Sequence, residues 1–143
     1  MTRQQMKWLA LAVILLAFGI SKLALINWYL KHRTTPATPV ELACHNLGAP
    51  CALPDGGQLV FVTPPSNGRP FVMRITGVAD KEPTVEFAMV DMDMGFNRYR
   101  FVADGAAWQA RVTLPVCVTG SRRWLATFHI GEHIYRLPFV TTG

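Results

Sequence analysis

At 143 residues the chain has room for one domain, and half of its residues are apolar. Its formal net charge of +5 comes entirely from Arg3, Lys7, Lys22, Lys31 and Arg33, which leaves residues 41–143 with nine basic and nine acidic side chains. A neutral domain without a basic patch interleaved with aromatics has no electrostatic footprint for phosphate, which excludes nucleic acid as a partner.

Residues 1–7 read as a short cytoplasmic head. Residues 8–30, WLALAVILLAFGISKLALINWYL, are interrupted only by Ser21, Lys22 and Asn27. A helix of this length spans roughly 30 Å of hydrocarbon, which predicts a transmembrane anchor. Lys22 opposes that reading, because a charge near mid-bilayer costs about 2.5–3.5 kcal/mol unless it snorkels, yet the apolar total outweighs it. A cleaved export signal is the rival, but SKLALINWYL offers no small-residue processing site. Both readings carry the remainder across a membrane. Basic residues flank both ends of the run, so orientation rests on the very short head and on the cysteines beyond. These place the carboxy-terminal domain in the periplasm, with one pass through a bacterial inner membrane.

Residues 31–39 end in a Pro/Thr linker that cannot continue the helix. From residue 40 to 143 the pattern is β. Strands are predicted at Gln58–Thr63, Phe71–Val78, Thr84–Met92, Asn97–Val102, Trp108–Leu114, Arg123–Ile130 and His133–Val140, broken by turn clusters such as PPSNGRP, ADKEP and ADGAA. Seven short strands at this spacing predict an all-β, immunoglobulin-like seven-stranded sandwich behind one N-terminal transmembrane helix. A small barrel is the alternative.

Cys44, Cys51 and Cys117 form an odd set. The Cys44–Cys51 spacer holds Gly48 and Pro50 and closes easily, whereas Cys51 with Cys117 would tie the start of the domain to its later half. The second pairing is preferred because both cysteines adjoin strands. It leaves Cys44 beside His45 as a free thiol, a soft ligand pair or merely an odd cysteine.

The segment Phe87-A-M-V-D-M-D-M-Gly95 carries three of the six methionines. Alternation in a strand puts Phe87 and Met89 on a core face with Asp91 and Asp93 continuing it, and points Met92 and Met94 together the other way. Two convergent thioethers are soft ligands suited to Cu(I), and imidazole from His129 and His133 across the final hairpin, or from His45, could complete the set. Packing in a core or interface, and a methionine-rich protein-contact patch, are the competing readings. The two aspartates are expected to solvate the strand end. Trp108 and Trp124 read as core or edge anchors, and Arg98, Arg100, Arg122 and Arg123 as outward residues. With no G-x-S-x-G, H-E-x-x-H, P-loop or dinucleotide turn, the domain is not expected to be an enzyme.

The span, the strand V-E-F-A-M-V-D-M-D-M-G, the following N-R-Y-R-F, then G-x-x-W-x-A-R-V-x-L-P and W-L-A-T-F, together resemble the bacterial YtkA-like and FixH-like group of membrane-anchored immunoglobulin-like domains. The resemblance covers roughly residues 71–140. It implies Met89, Met92 and Met94 as the methionine positions and Tyr99 and Phe101 as structural matches, with copper handling and assembly of a copper-containing respiratory oxidase as the role. Ala110, where such strands often carry glycine, departs from the pattern. A periplasmic, membrane-tethered copper-binding or copper-delivery domain is the expectation. The alternative is a non-metal assembly or adaptor subunit of a membrane complex.

Overall fold

The computed structural model describes residues 1–33, 37–79, 82–92, 95, 97–116 and 118–142. They fall into two units, Met1–Pro36 and Ala37–Gly143. Part of the expected linker, residues 34–36, lies outside the described residues.

In the first unit, helix α1 runs Arg3–His32. Its start is a capping box: the Gln5 amide donates to Thr2 Oγ1 at 3.4 Å, and the Thr2 amide donates to Gln5 Oε1 at 3.0 Å. Its last turn carries Lys31, a cation that suits the negative end of the helix dipole. The Arg33 amide donates to the Tyr29 carbonyl, and the Arg33 guanidinium lies 4.9 Å from the Tyr29 ring centroid. The helix is long and apolar enough to cross a membrane, and none of it is buried against protein. A helix of this kind at an amino terminus serves as an anchor or as an export signal.

The second unit is two five-stranded sheets. Its strands are β1 Val40–Glu41, β2 Cys51–Ala52, β3 Gln58–Phe61, β4 Pro70–Thr76, β5 Thr84–Met89, β6 Arg98–Arg100, β7 Val102–Asp104, β8 Ala107–Thr113, β9 Arg123–Ile130 and β10 His133–Val140. One sheet has the order β1-β10-β9-β5-β6 and the other β2-β3-β4-β8-β7. Among the described residues neither sheet closes on itself, which replaces the barrel alternative with two separate sheets.

Ten strands replace the seven expected among the described residues. Two additions, β1 and β2, are only two residues long. The third arises because the predicted strand Asn97–Val102 is split. Its first half pairs with β5 and its second with β8. Between them Phe101 is buried, and its amide donates to the Pro83 carbonyl at 2.9 Å as the chain changes sheets.

Period-two burial builds the core. Phe71, Met73 and Ile75 of β4, Val85, Phe87 and Met89 of β5, and Trp124, Ala126, Phe128 and Ile130 of β9 all point inward. Phe61 and Phe71 from one sheet meet Phe87 and Phe139 from the other in a closed cycle of ring contacts. The centroids are 5.9 Å apart for Phe61–Phe71, 6.2 Å for Phe71–Phe87, 6.1 Å for Phe87–Phe139 and 5.6 Å for Phe139–Phe61. These are the edge and offset arrangements that ring quadrupoles favour, and they join the sheets. Tyr99 adds a polar tie, donating from its hydroxyl to the Thr113 carbonyl at 2.7 Å. Trp124 is buried as expected, whereas Trp108 is partly buried against the core.

The disulfide corrects the preferred pairing. Cys44 is bonded to Cys51, with Cα atoms 5.7 Å apart. The spacer folds back locally, with the Gly48 amide donating to Asn46 Oδ1 at 3.0 Å and the Ala49 amide to the Asn46 carbonyl at 3.2 Å. That turn, together with the Phe61 amide donating to the Leu47 carbonyl at 3.1 Å and the pairing of Cys51 with Leu59, holds the two cysteines side by side. Cys117 lies outside the described residues.

Candidate functional site

The methionine segment begins as predicted and then departs from a strand. Met89 closes β5 as a core residue, 5% exposed. Beyond it the Val90 amide still reaches the Arg123 carbonyl at 3.2 Å, but residues 90–92 bend away from the ladder. Asp91 supplies the reason. Its two carboxylate oxygens accept from Arg123 Nη2 at 2.7 and 2.9 Å, and Ser121 Oγ donates to Oδ2 at 3.3 Å. A carboxylate held by β9 and the residues before it cannot continue the core face of β5 as alternation would have it. The chain returns at Asn97, whose carbonyl accepts from the Phe87 amide at 2.9 Å. Between these points Gly95 takes φ +64°, the left-handed region that glycine enters without strain.

The bend leaves Met92 46% exposed. A thioether that served only to fill space would be expected inside, as Met73 and Met89 are. The regular strand that would align Met92 with Met94 is therefore absent at Met92. Asp93 and Met94 lie outside the described residues.

The register places the histidines elsewhere. Along the β5–β9 ladder Met89 is opposite Trp124 and Thr84 is opposite His129. His129 and His133 flank the β9–β10 turn, as expected, but that turn is at the far end of the sheet from Met92. There His129 Nε2 is 4.0 Å from Glu86 Oε2, and it is shielded from solvent without a hydrogen bond among the described residues. His133 Nδ1 is 3.4 Å from Asp55 Oδ2. The structure thus groups His129 and His133 with carboxylates and not with Met89 or Met92. His45 has the opposite placement. It lines a cleft with Pro64, Pro65, Val140 and Thr142, and Val140 pairs with Arg123, the residue that holds Asp91.

The far end has its own polar cluster, which the sequence reading missed. Tyr135 is buried and donates its hydroxyl to Asp55 Oδ2, and the His133 ring stacks beside it with centroids 6.2 Å apart. Burial first, and then the hydrogen bond and negative charge of Asp55, push the Tyr135 phenol up to about 12. These three residues line a cleft of about 400 Å³ with Glu132, Gly57 and Gly77. Asp55 and Tyr135 are 80 residues apart in the chain, and only the fold brings them together.

Among the described residues no three His, Cys, Asp or Glu side chains gather where they could hold a metal ion. Comparison with protein-family models, with curated proteins and with solved structures returns no match.

Proposed function

We propose that this chain is a membrane-tethered, non-catalytic domain of the bacterial periplasm that holds Cu(I) at the methionine turn and passes it by ligand exchange to a copper-containing membrane oxidase. The observation that carries the reading is Met92, a thioether held out to solvent on a turn braced by Asp91, Arg123 and Ser121. Soft, uncharged sulfur suits Cu(I) where thiols are oxidised, and the Cys44–Cys51 bridge accords with such a compartment. Met92 and Met94 are the proposed ligands. Met89 supports the turn from the core, and His45 is the imidazole at that end. An immunoglobulin-like arrangement is supported by strand order, because β3-β4-β8-β7 and β10-β9-β5 follow the ABED and GFC orders of that fold.

The test is Cu(I) titration of the full chain in detergent against a chromogenic Cu(I) chelator. Replacing both Met92 and Met94 by alanine is expected to weaken binding about 100-fold, the upper range for residues that merely support a metal site. Equal affinity for the two proteins overturns the reading.

The second reading, an assembly or adaptor subunit without metal, is favoured by Lys22. A cation in the middle of an apolar helix is costly in lipid and is commonly turned toward protein. Co-purification with a membrane complex after mild detergent extraction would support it, and a partner-free monomer would count against it.

A further inference from the structure

The face of α1 around Gly19 is exposed and apolar, with no side chain at its centre. Gly19 sits in a shallow groove lined by Leu15, Leu16, Ile20 and Leu23. A Cβ at Gly19 would meet nothing within 4 Å, so the packing of α1 itself does not require glycine there. At 3.6 residues per turn, Leu15, Leu23 and Ile26 lie within about 40° of Gly19, Lys22 about 60° to one side and Asn27 about 80° to the other. The groove is thus flanked by the two most polar residues of the apolar run.

Lys22 specifies what the groove takes. Its Nζ lies 5.1 Å from the centroid of Phe18, one turn toward the amino terminus. The ammonium is therefore directed away from the nearer end of the apolar run, at Leu30, and toward its centre. It forms no ion pair among the described residues. The first acidic residue in the chain is Glu41, so α1 contains no carboxylate of its own. A second copy of α1 would bring none either, and docking on the same face would set two ammoniums together.

We propose that the Gly19 face of α1 docks on a transmembrane helix of a different protein, one that carries an Asp or Glu near mid-bilayer to pair with Lys22. The proposal goes beyond copper binding and rests only on residues 8–30 remaining in the membrane. Small residues let helix backbones approach closely, and a polar pair in lipid gives the contact its specificity.

The test uses the full chain, fluorescently labelled and reconstituted in phosphatidylcholine–phosphatidylglycerol vesicles with a synthetic poly-leucine transmembrane peptide. One peptide carries a single central Asp, and its control carries Leu there. Energy transfer is expected to report association about tenfold tighter with the Asp peptide. Lys22→Met should remove that preference, and Gly19→Ile should weaken binding to both peptides. Equal binding of the two peptides, or a preference that survives Lys22→Met, overturns the proposal. So does self-association of the chain as strong as its association with the Asp peptide. A mature chain isolated without residues 8–30 also overturns it, while leaving the copper titration unaffected.

Discussion

Met89 and His129 occupy opposite ends of one antiparallel strand pair: Met89 faces Trp124, and His129 faces Thr84 five residues further along β9. At about 3.4 Å per residue this is a separation near 17 Å, beyond the reach of any shared ligand. Replacing His129 or His133 by alanine is therefore expected to leave Cu(I) affinity unchanged, while Met92→Ala lowers it. Competition titration against a chelator checks both, and a histidine variant that behaves like Met92→Ala would refute the assignment.

Met89 belongs to the core in which the four phenylalanines join the sheets. Met89→Ala is expected to cost about 2–4 kcal/mol, since a buried side chain of this size leaves a cavity that its neighbours fill only in part. Urea unfolding followed by tryptophan fluorescence measures the loss. A loss below 1 kcal/mol, in the range of surface substitutions, would show that Met89 is not packed as described.

Asp91 is part of an exposed ion pair, so Asp91→Asn should change global stability by less than about 1 kcal/mol. Its local effect is expected to be larger. The Val90 amide, bonded to the Arg123 carbonyl next to this pair, should exchange its hydrogen faster in the variant. Unchanged exchange at Val90 would mean that the turn is held by other contacts.

The Cys44–Cys51 bridge closes a short loop. Replacing both cysteines by serine is expected to lower stability by about 2.5 kcal/mol, from the loop-closure entropy of eight residues. Denaturant midpoints of the two proteins, compared at equal slope, give the value. Peptide mapping under non-reducing conditions should recover residues 44 and 51 in one linked fragment.

Tyr135 sets an upper pH limit. Its phenol ionises near pH 10 in the unfolded chain and at about 12 in the folded one, so the folded state holds the proton more tightly. The stability linked to it is complete below pH 10 and is lost as pH rises from 10 toward 12. Tyr135→Phe should cost about 1–2 kcal/mol at neutral pH through the missing bond to Asp55, and should flatten that alkaline decline. Unfolding curves at pH 8, 10 and 11 test the sign.

Most of the long strands were legible because buried and outward residues alternate along them, as in β4, β5, β9 and β10. β1 and β2 were not, since two residues carry no period. The break at Phe101 was hidden for a subtler reason: Tyr99 and Phe101 continue the alternation unbroken while the chain crosses from one sheet to the other.

The same limit applied to the site. Met89 could be placed from its neighbours, but the bend that exposes Met92 is fixed through Asp91 by Arg123, 32 residues beyond that aspartate, and the remoteness of the histidines follows from β5 pairing with β9. Neither partner adjoins its target in the chain. Asp55 and Tyr135, 80 residues apart, illustrate the same dependence on topology.

The entry of the chain into the β-domain has a mechanical meaning. Val40 and Glu41 lie alongside Tyr135 and Arg136 in the same direction, and the Leu42 amide donates to the Arg136 carbonyl at 2.8 Å. Tension applied at Ala37, with the carboxy-terminal strand held, pulls along β1 and loads these bonds together in shear rather than peeling them one by one. Just behind them the Cys44–Cys51 bridge withholds the six residues between it from the length that a pull can release. The point of attachment is thus a short shear joint with a covalent stop.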